Sequence, residues 1–129
     1  MDDLVQFLRD RLDEDEQIAH IGNASEPPLT WRQIGETGVI VASDGDRAEE
    51  CANGNWAGVA EHIARHDPAR VLREVEAKRE LLSRYEAMAA GVLVMTGAEA
   101  ILSEYRRVLL PHLALPYADH PDYRDTWRS

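Results

Sequence analysis

The spacing of hydrophobic residues changes twice along this chain, and these changes constrain the fold more than any other feature of the sequence. Near the start, leucines recur at every fourth position, at Leu4, Leu8 and Leu12. This spacing predicts an amphipathic helix over residues 1–20. Residues 29–52 are short strand-type stretches separated by turn-forming residues, and helical spacing returns over residues 55–110. The pattern predicts an α+β fold, mainly a helical bundle with a small antiparallel β meander.

The meander must cover one of its faces, because a sheet of two or three short strands cannot bury both. We expect that face to pack on a helix through Trp31, Val39 and Val41. The pair Asp44 and Gly45 suits a tight hairpin turn, since both central residues of such a turn need positive φ. The third stretch, from position 47 to position 52, gives the weakest strand prediction because it also suits the start of a helix.

Helical signals dominate the second half of the chain. Asn55 is a candidate cap for one helix, and Asp67 with Pro68 starts a longer one. A capping box at positions 96–99 leaves open whether residues 68–110 form one bent helix or two. Residues 111–129 hold two tyrosines and a tryptophan, and a terminus with these aromatic residues is expected to dock on the bundle.

At 129 residues the chain is expected to form a single domain around one hydrophobic core. Residues 68–90 carry a heptad-like apolar stripe, and a further apolar stretch follows at positions 92–95. Together they supply more apolar surface than one short bundle needs, which predicts a homodimer.

The chain is acidic, and the acidity is concentrated near its start. There are 24 Asp and Glu against 14 Lys and Arg, a net charge of −10, of which residues 1–50 contribute −9. This balance disfavours a generic nucleic-acid binder, and the lack of a run of eighteen apolar residues disfavours a membrane span. Cys51 is the one cysteine in the sequence, which excludes an internal disulfide. The single cysteine and an opening segment unlike a secretory signal together predict a protein of the reducing cytoplasm.

An acidic quartet is the densest charge in the sequence: Asp13, Glu14, Asp15 and Glu16. Negative charge toward the C-terminal part of a helix opposes the macrodipole, so we expect the first helix to weaken there. The quartet is a candidate binding surface for a basic patch on a partner protein, including a patch that otherwise holds a phosphate backbone. The alternative is a solvated face that promotes solubility.

His62 and His66 are the sharpest candidates for chemistry. Residues four apart on a helix project from one face, a spacing at which two imidazoles can share a zinc ion. Asp119 or His120 would supply a further ligand, and the site would then suit a small metal-dependent hydrolase. The pair lacks the HExxH order in which a glutamate activates water. The alternative is two histidines on a polar or interhelical face, and we expect no cofactor.

Two longer blocks resemble a family of small proteins. They are EHIARHDPARVLREVEAKR at residues 61–79 and LALPYADHPDYR at residues 113–124, accompanied by the opening residues 1–8 and by residues 12–17. These blocks resemble the domain-of-unknown-function proteins of actinobacteria and their phages. That family has no assigned activity, so the resemblance implies membership without a reaction. Many members place cysteines just before the second block, where residues 83–112 have none, and this difference weighs against a metal site.

The sequence also lacks a GxSxG nucleophile motif and a phosphate-binding loop. We therefore predict a non-catalytic intracellular binding or regulatory protein that acts by protein–protein contact, with the phage relationship implied by the resemblance. The alternative is the metal-dependent hydrolase built on His62 and His66.

Overall fold

The computed structural model describes residues 1–21, 30–43 and 48–128. The chain divides into two compact units. We call Asp15–Glu74 the sheet unit, and Met1–Glu14 together with Val75–Ser129 the terminal unit. The turn predicted at Asp44 and Gly45 lies outside the described residues. The single domain stays a prediction.

The order of helices and strands confirms the predicted α+β, mainly helical fold class. The strands are β1 (Thr30–Gln33), β2 (Val39–Ser43) and β3 (Ala48–Asn53). The helices are α1 (Asp2–Ile21), α2 (Ala57–Arg65), α3 (Pro68–Ala89), α4 (Ala98–Glu104), a π-helix (Tyr105–Leu109) and α5 (Leu110–Ala114). Two 3₁₀ turns follow, Leu115–Tyr117 and Asp125–Trp127. Within the described part of the chain, the helices lack the combination of length and apolar content that crossing a membrane requires.

The core of the terminal unit includes the leucine face of α1. Leu4, Leu8 and Leu12 are almost completely buried, which confirms the predicted amphipathic face. Burying one leucine contributes about 1.5–3 kcal/mol, so this face supplies much of the stability of the unit. The other large buried side chains of the unit come from α1, α3, the π-helix and α5: Phe7, Val75, Leu82, Tyr85, Met88, Tyr105 and Leu110.

The acidic quartet does not interrupt α1, and a lower stability of the helix there stays a prediction. The helix continues through all four acids to Ile21. Nη2 of Arg79 lies 2.6 Å from Oδ1 of Asp13, and Nη2 of Arg11 lies 3.5 Å from Oε2 of Glu14. These two cations offset the charge of the first half of the quartet, which removes much of the repulsion that the sequence suggested.

The π-helix changes which residues of the last helical segment face the core. A π-turn contains more residues than an α-turn, so the buried face rotates after it. Tyr105 and Leu110 are buried, as the rotated face requires. Val108 and Leu109, which the α-helical spacing predicts to face inward, are exposed.

Residues 68–110 contain two separate α-helices, α3 and α4, with residues 90–97 between them. Gly97 is the N-cap residue of α4 and has a φ of 77°. Since glycine has no side chain to donate or accept a capping bond, the predicted capping box at positions 96–99 is wrong. Helical structure then continues through Pro111 to the end of α5, beyond the predicted end of the bundle.

The sheet unit contains the predicted meander, with β2 between β1 and β3 and antiparallel pairing on both sides. The third strand is thereby confirmed. Helix α2 packs against β1 and β2, so a helix covers the sheet as expected. Val41 is buried as predicted, and Ile40 beside it is completely buried. Trp31 and Val39 are only half-buried, so they cover less of the core than predicted.

Helix α2 begins after the predicted cap. Asn55 has a φ of 68°, and its backbone N–H donates to Oδ1 of Asn53 at 2.8 Å. It therefore belongs to a turn, and the prediction that it caps α2 is wrong. Trp56 occupies the N-cap position in an extended conformation and is largely exposed instead of facing the core.

Candidate functional site

Asp67 is a buried carboxylate, 5% exposed, that fixes one side of the candidate site. Its Oδ1 accepts the backbone N–H of Arg70 at 2.8 Å, which confirms it as the cap of α3. Its Oδ2 accepts the backbone N–H of Trp31 at 3.0 Å. One side chain thus ties β1 to the start of α3, and the position of Trp31 is set by this bond.

A cleft of about 310 Å³ lies beside Trp31, within the sheet unit. Its lining residues are mostly apolar: Asp15, Ile18, Ala19, Trp31, His66, Pro68 and Val71. Ile18 is 59% exposed and Trp31 is half-buried, so two large apolar side chains remain in contact with water here. Removing apolar surface from water contributes about 25 cal/mol per Å², which gives the cleft a driving force to bind an occupant.

Asp15 and His66 are the polar side chains among the described residues that line the cleft. Asp15 contributes a carboxylate. Nδ1 of His66 lies 2.7 Å from the carbonyl oxygen of His62, and since a carbonyl only accepts, this nitrogen carries the proton. The described lining of the cleft thus combines mostly apolar side chains with one carboxylate and one imidazole.

The predicted metal pair lies together, with the two rings tilted against each other. The ring centroids of His62 and His66 are 4.3 Å apart and the ring planes are inclined by 35°. Across residues 1–21, 30–43 and 48–128, no group of three or more His, Cys, Asp and Glu side chains is placed to hold a metal ion.

Asp119 and His120, the predicted tail ligands, belong to the terminal unit. Nδ1 of His120 accepts the backbone N–H of Asp122 at 3.0 Å, and Nε2 contacts the guanidinium of Arg11. The His120 ring also packs edge-on against Phe7 at 5.6 Å. Asp119 is exposed. These contacts give His120 a role in packing the C-terminal segment.

The acidic quartet is not a surface of uniform exposure. Asp13 and Glu14 are exposed and lie in the terminal unit, where each has an arginine partner. Asp15 and Glu16 are half-buried and lie in the sheet unit. Asp15 also lines the cleft. The binding role of the four acidic residues stays a prediction.

A larger cavity, of about 450 Å³, lies in the terminal unit between the start of α1 and the C-terminal segment. Its charged and aromatic groups contact each other. Arg124 lies 2.8 Å from Asp3 and also over the ring of Trp127, and Arg11 lies over the ring of Phe7. Because these guanidinium groups already have partners within the unit, we assign this cavity to the docking of the C-terminal segment.

Cys51 lies at a β-bulge and is not an activated nucleophile. Pairing between β2 and β3 passes from Ile40 with Ala52 to Val41 with Glu50, which makes Cys51 the extra residue of the bulge. Partial burial raises the pKa of its thiol, and the neighbouring charge of Glu50 raises it further, while a backbone hydrogen bond acts in the opposite direction.

We expect Cys51 to react slowly with iodoacetamide at neutral pH. A raised pKa leaves less thiolate at any given pH, so the midpoint of the pH–rate profile should lie above that of a free cysteine peptide. Glu50→Gln removes a nearby negative charge and should lower this midpoint, whereas the matched change Glu49→Gln should move it less. Mass spectrometry of the alkylated chain gives the rates. A midpoint below that of the free peptide would contradict the expectation.

The model of a family of unknown function (DUF6221) matches residues 1–129. The chain belongs to this family. The resemblance is thereby confirmed at the level of a family of unknown function, while the actinobacterial and phage source stays a prediction. No curated protein and no solved structure matches the chain. Because the family is one of unknown function, membership in DUF6221 does not indicate an activity for this chain.

Ile18 is the cleft residue that the sequence reasoning missed most clearly. The leucine spacing of α1 leads to Ala19, which is buried, so the large apolar side chain beside it has no place on the same face. The sequence does carry one signal for an exposed apolar residue here: an isoleucine that lies off the buried face of α1 and close to the acidic quartet. Val71 belongs by its spacing to the helical stripe of residues 68–90, and its position at the cleft depends on how α3 begins at Asp67.

Proposed function

We propose that this chain is a non-catalytic intracellular binding protein that acts by protein–protein contact through the cleft beside Trp31. One observation carries the proposal: Ile18 and Trp31, two large apolar side chains, remain accessible at an apolar cleft. Exposed apolar surface bordered by polar groups is typical of interaction sites. An aromatic anchor at the centre of an interface commonly supplies a large share of the binding energy.

The fixed position of Trp31 supports this role. The bond from its backbone N–H to Asp67 joins β1 to the first turn of α3, and α2 packs on the same strand. These contacts hold the backbone at Trp31, so less backbone freedom is lost when a partner covers the side chain. Preorganisation of this kind raises affinity because less entropy is lost on binding.

The chemistry of the cleft supports binding over catalysis. Asp15 and His66 are the ionisable residues of its described lining, and no Ser, Cys, Lys or Tyr side chain accompanies them. Nδ1 of His66 is already engaged by a backbone carbonyl. The remaining walls are apolar, which suits the burial of a partner side chain more than the stabilisation of a charged intermediate.

Site-specific photo-crosslinking tests this function. The chain is prepared with benzoylphenylalanine in place of Ile18, mixed with a lysate of its source organism and irradiated. We expect discrete adducts with another protein, identified by mass spectrometry, because position 18 lies at the cleft. The matched control carries the same amino acid in place of Glu61, an exposed residue of α2 that does not line the cleft, and should give none. Equal adduct yields at both positions, or no adduct at position 18, would contradict the proposal.

Homodimer formation stays a prediction. Half of the heptad-like stripe of α3 is buried within the chain, at Val75, Leu82 and Tyr85. Val92 and Val94, which follow α3, are 82% and 83% exposed. The prediction of self-association now depends on these two valines.

A further inference from the structure

We infer that a cavity of the terminal unit binds a small zwitterion, an amino acid with an apolar side chain. The cavity has a volume of about 550 Å³ and is lined by residues from the start of α1, the end of α3 and the π-helix. Its described lining belongs to the terminal unit, whereas the cleft beside Trp31 belongs to the sheet unit. The inference therefore goes beyond the proposed function and does not depend on it.

Arg106 supplies an unpaired positive charge to this cavity. Its Nε donates to the hydroxyl oxygen of Tyr85 at 2.9 Å, and its guanidinium carbon lies 5.8 Å from the centre of the Tyr85 ring. Tyr85 is buried, and its ring contacts that of Tyr105 at 5.6 Å. A fixed neutral group thus holds the guanidinium, which forms no ion pair within residues 1–21, 30–43 and 48–128. The N–H donors of its two Nη groups remain for a ligand.

Asp2 supplies an unpaired negative charge to the same cavity. Its carboxylate has no hydrogen bond or ion pair with the residues that the structure describes. Arg9 and Glu86 also line the cavity, but they neutralise each other, since Nε of Arg9 donates to Oε1 of Glu86 at 3.0 Å. The cavity therefore presents one cation and one anion, Arg106 and Asp2, that are not paired with each other.

A ligand with both charges matches this pair better than a ligand with one. A carboxylate can accept two parallel N–H bonds from a guanidinium, and an ammonium group complements the carboxylate of Asp2. A simple anion would be repelled by Asp2, and a simple amine would be repelled by Arg106. An amino acid carries the two groups on neighbouring atoms, so it meets both requirements in one small molecule.

The remaining wall favours an apolar side chain on the ligand. Val5, Ala89 and Ala90 line the cavity together with the ring of Tyr85. The two alanines are exposed and small, so they leave room beside the charged groups. Covering these apolar surfaces with an aliphatic group removes both from water, which adds to the affinity.

Isothermal titration calorimetry of the full-length chain with L-leucine tests the inference. We expect saturable binding that Arg106→Met weakens at least about tenfold, as for the loss of a charge-assisted bidentate contact. Arg107→Met removes the same charge one residue away, outside the described cavity lining, and should change the affinity less than about twofold. Asp2→Asn should weaken binding about two- to fivefold, and its matched control Asp3→Asn should have a smaller effect.

Two analogues of leucine test whether both charges are needed. The first, 4-methylpentanoate, lacks the ammonium group, and the second, 3-methylbutylamine, lacks the carboxylate. We expect each to bind at least about fivefold more weakly than leucine. Binding of either analogue as tightly as leucine would overturn the inference, and so would the absence of saturable leucine binding up to about 10 mM.

A second variant keeps the test decisive if circular dichroism shows that Arg106→Met is unfolded. Ala90→Trp places a large ring at an exposed position of the lining, so it should fill the cavity and abolish leucine binding. Leucine binding that is unchanged in the folded Ala90→Trp chain, or equally weakened by Arg106→Met and Arg107→Met, would show that leucine does not occupy this cavity.

Discussion

Replacing Phe7 with alanine is expected to lower the free energy of unfolding by about 3–5 kcal/mol. Phe7 is buried, and its ring meets four rings of the C-terminal segment at centroid distances between 5.0 and 6.2 Å: those of Tyr117, His120, Tyr123 and Trp127. Tilted and edge-on aromatic pairs contribute beyond the area that they bury, by about 0.5–1.5 kcal/mol each. Urea denaturation followed by circular dichroism measures the loss.

Phe7→Leu is the matched control for this prediction. It keeps most of the apolar volume and removes the ring, so we expect it to cost about 1–2 kcal/mol. A cost below about 1 kcal/mol for Phe7→Ala would show that the aromatic cluster does not hold the C-terminal segment to α1.

Replacing Asp67 with alanine is expected to destabilise the chain by about 2–3 kcal/mol. Loss of the bond to the Arg70 N–H removes a helix cap, which costs about 1 kcal/mol. Loss of the bond to the Trp31 N–H leaves a partly buried donor without its acceptor, which costs a further energy of about 1–2 kcal/mol. Urea denaturation again provides the measurement.

Asp67→Asn separates these two contributions. The amide keeps one acceptor oxygen, so it can retain one of the two backbone bonds, and we expect about half of the loss seen with alanine. Equal stability of Asp67→Ala and the unaltered chain would show that this carboxylate does not tie β1 to α3. Trp31 would then lack the rigid support on which the proposed function depends.

The features that the sequence predicted correctly depend on residues that are close together in the chain. The buried face of α1 follows from the spacing of Leu4, Leu8 and Leu12, which is a property of one helix. The cap at Asp67 follows from a carboxylate immediately before Pro68, which suits the first turn of a helix. Such signals act within one or two helical turns, so they do not depend on how the rest of the chain packs.

The features that the sequence did not predict depend on departures from regular helix geometry or on packing between distant residues. Periodicity assumes 3.6 residues per turn throughout, so it could not place Val108 and Leu109 beyond a π-helix. The capping rule at Asn55 gave way to a local bond between its N–H and Asn53. At Asn55 this local bond thus overrides a weak capping preference.

The candidate site was predicted only in part for the same reason. Asp15 and His66 were both singled out, but for two different functions, and no spacing rule connects them. They line one cleft because α1, α2 and the start of α3 come together around Trp31. The tilted contact between the His62 and His66 rings likewise depends on side-chain rotamers, which the spacing of four residues does not fix.

The central claim is that the cleft beside Trp31 binds a partner protein. Photo-crosslinking from position 18, repeated with Trp31→Ala in the same chain, tests this claim most directly. We expect the adduct formed by the parent chain to fall at least about tenfold when the indole is removed, while the circular dichroism spectrum stays the same. An adduct of unchanged yield in the folded Trp31→Ala chain would contradict the claim.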